Sequence, residues 1–142
     1  ELVAGDADCV MTMLKLAALD ADDLTVISAC MQDSVLKTGE IAFSLAEMRL
    51  VLPVNRFAWE KSGERLAIPE RRRSVLHFDR VLALRSSDID RSKPETVLSI
   101  LAVQFIPSDA PAGTIEIAFA GGAALKFDVE CIEAQLADLG PA

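Results

Sequence analysis

His77 is the only imidazole in this 142-residue chain, and Asp79 stands two residues after it. On an extended strand, positions i and i+2 share a face, so the carboxylate would orient the ring and support it as a general base. Such a base needs a hydroxyl, a thiol or a substrate proton within reach, and no Ser or Cys is placed beside the pair by spacing. A structural histidine making one hydrogen bond on a half-apolar strand face is the plainer account of the same residues.

The basic residues around this pair are the second feature with chemistry in it. Residues 1–48 carry 2 basic and 9 acidic side chains, residues 49–93 carry 11 and 6, and residues 94–142 carry 1 and 7, so a basic middle separates two acidic ends in a chain of net charge −8. Arg56, Lys61, Arg65, Arg71, Arg72, Arg73 and Arg85 make up the band, with Phe57 and the only tryptophan, Trp59, beside it. Guanidinium forks next to an aromatic ring suit a phosphate, a carboxylate-rich peptide or a single-stranded nucleic acid. Strand alternation sends Arg71 and Arg73 to one face and Arg72 to the other, so at most part of the triplet forms one surface. Pairing of these arginines with Glu60, Glu64 and Glu70 on a solvated strand is the simpler alternative. The acidic total opposes long-range attraction of nucleic acid or an anionic membrane.

Other chemistries find no support in the residues. No G-x-x-x-x-G-K-[ST], G-x-G-x-x-G or G-x-S-x-G occurs, and the glycines of Phe119-Ala-Gly-Gly-Ala join two strands without opening a helix. One His and no C-x-x-C imply no metal site, and Asp20, Asp22 and Asp23 do not continue into a calcium loop. No cofactor is implied. Cys9, Cys30 and Cys131 are an odd number at long spacings, which predicts reduced thiols in a cytoplasmic protein, with Cys30 in the core. Cys131 is placed at the start of a last helix, where the dipole and two glutamates act on it in opposite senses. Every apolar run is interrupted by charge before reaching bilayer-spanning length, and residues 1–13 lack the pattern of a signal peptide, so a soluble chain is expected.

The elements that must carry these residues follow from periodicity. Residues 1–12 read as a disordered extension and residues 13–142 as a single α+β domain. Met13 to Ala18 suggests a short strand. Asp20 as N-cap and Leu24, Ile27 and Met31 at helical spacing predict a helix over residues 21–32. The period then changes from 3.6 to 2: Leu45, Phe43 and Ile41 can oppose Met48, Leu50 and Leu52 across an Ala46-Glu47 turn. Residues 61–70 read as a loop. Residues 72–85 read as one long strand with a bulge or bend at Asp79-Arg80, since Arg80 falls among apolar neighbours. Residues 97–106 read as a central strand. In the last hairpin Phe119 is expected to oppose Leu125, with Gly121, Gly122 and Ala123 as the loop. Ile132, Leu136 and Leu139, followed by Gly140-Pro141, predict a C-terminal helix.

Helix, about seven antiparallel strands and a closing helix correspond to a pleckstrin-homology-like α+β fold, a sheet or partly open barrel. Helices on one face of a single curved sheet are the alternative.

Four stretches, Leu14 to Asp33, Asn55 to Glu60 (N-R-F-A-W-E), Arg71 to Arg85 (R-R-R-S-V-L-H-F-D-R-V-L-A-L-R) and Phe119 to Ala142, resemble the alphaproteobacterial family of unknown function numbered 2948. The resemblance spans nearly the whole chain from about Met13 and implies a small bacterial cytoplasmic protein. It brings no catalytic or binding residues.

The residues together favour a non-catalytic binding or interaction module that meets a protein partner or a second copy of itself through the basic band. Its candidate contact residues are Arg56, Trp59, Arg71, Arg72, Arg73, His77 and Asp79. The alternative is a small enzyme or anionic-ligand binder using His77, Asp79 and the Arg71–Arg73 run. Membrane and nucleic-acid partners are disfavoured.

Overall fold

A computed structural model describes residues 15–58 and 70–141. In chain order its elements are β1 (Lys15–Ala18), α1 (Ala21–Met31), β2 (Val35–Lys37), β3 (Ala42–Ser44), β4 (Arg49–Ala58), β5 (Glu70–Phe78), β6 (Val81–Ser87), β7 (Val97–Pro107), β8 (Gly113–Phe119), β9 (Ala124–Val129) and β10 (Ala134–Pro141). A 3₁₀ turn at Thr38–Glu40 separates β2 from β3. The strands form one ten-stranded antiparallel sheet in the order β1-β10-β5-β4-β2-β7-β8-β9-β6, with β3 beside β4.

The first helix forms where its signals place it. The Asp20 carboxylate accepts the Asp23 N–H at 2.8 Å, and Leu24, Ile27, Cys30 and Met31 turn into the core. Ser28 Oγ accepts the backbone N–H of Val103 at 2.9 Å, which fastens α1 to β7. Leu50, Leu52 and Val54 of β4, Leu76 and Phe78 of β5, and Ile115 and Ile117 of β8 belong to the same buried cluster. Phe78 of β5 and Phe127 of β9 meet edge to face with centroids 4.8 Å apart, so the sheet curls until its two limbs share one core.

The β3–β4 hairpin keeps the expected register. Phe43 pairs with Leu50, and the Met48 N–H closes the turn on the Leu45 carbonyl at 3.1 Å. In the β8–β9 hairpin Ile117 pairs with Leu125, and the Phe119 N–H bonds the Ala123 carbonyl at 2.9 Å, so the register differs from the expected one by two residues. A two-residue shift preserves the face of every side chain, which is why hydrophobic pattern cannot detect it. The loop is still three residues long, Ala120 to Gly122, and Gly121 and Gly122, at φ 89° and 97°, supply the positive φ it needs.

Two larger expectations are overturned. The first is the pleckstrin-homology-like α+β fold with helices at both ends: the chain is mostly antiparallel sheet, open at β1 and β6, and α1 is the one α-helix among the described residues. Ile132 to Leu139 belongs to the lead-in and strand β10, which lies between β1 and β5. Ile132 and Leu136, four residues apart, satisfy both periods. Ala134 at 1% exposure and Leu139 at 62% decide for the period of two. Pairing on both sides supplies ladder partners that a surface helix would leave unmade along β5. The Cys131 thiol consequently opens no helix; it is half-buried and free, between β9 and β10. Cys30 lies in the core, as its helical position predicts.

The second correction concerns residues 72–85, which form two strands in different lanes. Arg80 adopts φ 63° and points outward, with Nε 3.4 Å from Glu133 Oε1. The chain leaves the β4–β10 lane there and joins β9, and a bulge between Val81 and Ala83 leaves Leu82 at 45% exposure while Val81 is buried. The bend expected at Asp79-Arg80 is therefore real, and it is sharp enough to end one strand and start another.

Candidate functional site

β4, β5 and β10 lie side by side and carry most of the residues the sequence singles out. Their alternation divides the arginines between two environments. Leu50, Leu52, Val54 and Arg56 point inward from β4, and Arg72, Ser74, Leu76 and Phe78 point inward from β5. Arg71, Arg73, Val75 and His77 point outward.

The inward basic residues form a buried polar cluster at one end of the core. Arg56 grips Asp138 with two hydrogen bonds, Nε to Oδ1 at 2.7 Å and Nη2 to Oδ2 at 2.6 Å, and both side chains are wholly inaccessible. Ser74 Oγ donates to Asp138 Oδ1 at 2.6 Å, and Arg72, 8% exposed, pairs across the strands with Arg56. A bidentate guanidinium–carboxylate pair with a third donor satisfies most of the charge that burial would otherwise expose to a low dielectric. Burial makes this cluster part of the architecture, so Arg56 and Arg72 offer nothing to a docking partner. Asp138 and Ser74 were not singled out by sequence reasoning. The signal was present in the parity: Arg56 continues the inward set of Leu50, Leu52 and Val54, and an inward arginine requires an inward carboxylate.

The outward residues form a half-apolar face. Pro53, Val75 and Ala137 align across β4, β5 and β10, with Lys15 of β1 beyond them, and Val51, His77, Gln135 and Ala17 form the next row. Val51, Pro53, Val75 and Ala137 are half-buried, while α1 packs on the opposite face. Arg71 and Arg73 border the patch at one end. Arg71 Nη1 donates to the Asn55 carbonyl at 3.2 Å, and Arg73 reaches Asn55 Oδ1 at 3.3 Å and Glu40 Oε2 at 3.4 Å.

At the other end, His77 and Asp79 are brought together, with Nδ1 3.5 Å from Oδ2. The other carboxylate oxygen accepts from Arg49 Nε at 2.6 Å, and His77 Nε2 lies 3.3 Å from Gln135 Oε1. Asp79 is thus shared between Arg49 and the ring. No hydroxyl or thiol bonds to His77 among the described residues. Four residues of strand place Arg73 about 13 Å from His77, too far to clamp an anion at the ring. A cavity of about 330 Å³ is lined by Val35, Lys37, Glu40, Asn55 and Arg73 and does not include His77. Trp59, Lys61 and Arg65 lie outside the described residues.

No group of three or more His, Cys, Asp or Glu side chains among the described residues is placed to hold a metal. No helix among them is long and apolar enough to cross a membrane. No curated protein and no solved structure matches the chain. Matched by the family's model from residue 14 to residue 142, the chain belongs to the family described as Protein of unknown function (DUF2948).

Proposed function

We propose that this chain is a non-catalytic interaction module whose outward β4–β5–β10 face docks on an acidic protein surface. One observation carries the reading: a half-exposed apolar row, Pro53–Val75–Ala137, is bordered by Arg71, Arg73 and Lys15 on a face that α1 leaves uncovered. Apolar centres with basic rims suit protein contacts, in which buried area supplies affinity and rim charge supplies orientation and on-rate. At 0.1 M salt the Debye length is about 10 Å, so the acidic remainder of the chain is largely screened from a partner at this face. An Asp79 shared with Arg49, and a His77 outside the cavity that Arg73 lines, favour this over a catalytic reading.

The expected result is that the Arg71→Ser/Arg73→Ser double variant binds an immobilised poly-glutamate peptide at least fivefold more weakly than the native chain at 0.1 M salt. Its salt dependence should also be flatter. The Arg73–Glu40 pair, more than a third exposed, should contribute no more than ~1 kcal/mol to folding stability. Equal binding by variant and native chain would refute the docking face. Sedimentation of the native chain at low and at high salt shows whether a second copy is the acidic partner.

A further inference from the structure

A second site lies on the other limb of the sheet. The free edges of β3 and β6 approach each other without pairing among the described residues, and at their base the Val81 N–H bonds the Met48 carbonyl at 2.9 Å. Above that bond they separate around a cavity of about 370 Å³, within the range of small-molecule sites. Ile41 and Phe43 from the β3 side, Leu84 of β6, Ile89 of the following loop and Leu125 of β9 form its walls and floor. Leu125 is 2% exposed, whereas Ile41, Phe43, Leu84 and Ile89 are only partly buried against the core. The apolar surface there is thus incompletely covered by the protein itself.

One cation stands at this cavity. Arg91 lines it from the loop between β6 and β7, and its side chain makes no hydrogen bond or ion pair among the described residues. The other described arginines are engaged: Arg49 with Asp79, Arg56 with Asp138, Arg73 with Glu40, Arg80 with Glu133 and Arg85 with Asp128, while Arg71 and Arg72 have partners of their own. The neighbouring carboxylate of Asp90 is taken up by Ser92, whose N–H and hydroxyl reach it at 2.9 and 2.6 Å. Of the two hydroxyls in the lining, Thr38 Oγ1 donates to the Thr96 carbonyl at 3.1 Å. A partly open cavity with apolar walls on one part of its lining and, among the described residues, a single uncommitted guanidinium on another suits an apolar body ending in an anionic head.

We infer that the cavity between β3 and β6 binds a small amphipathic carboxylate, its apolar body against Ile41, Phe43, Leu84 and Ile89 and its carboxylate on Arg91. This site is distinct from the outward β4–β5–β10 face and does not depend on that face's docking role. No bond is made or broken. Apolar burial supplies the affinity, and the guanidinium selects the charged head over a neutral one.

The test uses octanoate as probe, with octan-1-ol for the body without the charge and acetate for the charge without the body. Titration is followed by methyl NMR of isoleucine and leucine and by calorimetry on the full chain. Octanoate is expected to shift the Ile41, Leu84 and Ile89 methyls, to bind about tenfold more tightly than octan-1-ol, and to leave acetate without measurable effect. Arg91→Gln should reduce octanoate affinity about tenfold and leave octan-1-ol unchanged, while Arg91→Lys retains part of the preference. The inference is overturned if octanoate shifts methyls elsewhere on the molecule, if octan-1-ol binds as tightly as octanoate to the native chain, or if Arg91→Gln affects both probes equally. The comparison of probes on the native chain decides the matter without any variant.

Discussion

Asp138→Ala is expected to destabilise the chain by about 3–5 kcal/mol, because it leaves the fully buried Arg56 guanidinium without its bidentate carboxylate. Ser74 Oγ loses its acceptor in the same step. Breaking one partner costs more than the pair contributes, since the remaining ion keeps its desolvation penalty. The control is therefore the double replacement Arg56→Met/Asp138→Leu, which removes both charges at similar volume and is expected to recover most of the loss. Urea denaturation followed by circular dichroism reads both. A single variant within ~1 kcal/mol of native would show that the cluster admits water, contrary to its zero accessibility.

Leu136→Ala is expected to cost about 2–5 kcal/mol, the range for a fully buried leucine. Leu136 lies in a row of leucines across four strands, with Leu16 on β1, Leu76 on β5 and Leu52 on β4, all within 2% exposure. Truncation opens a cavity that a strand ladder on both sides prevents from collapsing. The companion Leu139→Ala is expected to lie within about 0.5 kcal/mol of native, as surface substitutions do. In a C-terminal helix with Ile132, Leu136 and Leu139 on one stripe, both truncations would be costly. Measuring the two together thus tests the strand assignment as well as the magnitude, and two equal, large losses would count against β10.

The polar equipment was more legible than its arrangement. Parity along β5 separates Arg72 from Arg71 and Arg73, and the structure keeps that separation, because side-chain alternation is a property of any strand. The i, i+2 spacing likewise brought His77 to Asp79. Neither fact says what else reaches those groups. Arg49, Asp138 and Glu40 arrive from positions 30, 82 and 33 residues away in sequence from their partners, and sequence spacing carries no signal at such separations.

What the residues determined by themselves was local. Asp20 capped α1, Phe43 faced Leu50, and Gly121 and Gly122 made a hairpin loop, since each depends on groups a few positions apart. Tertiary structure decided the rest. Ile132 and Leu136 fit a helix and a strand equally, and only the open edge of β5 and the arrival of β1 on the far side selected the strand. Arg80 read as an intruder in one strand; the curl of the sheet, which carries β6 away to β9, made it a corner. The β3–β6 cavity has no signature in the sequence, because it is bounded by two strand edges that long-range pairing elsewhere leaves unfilled.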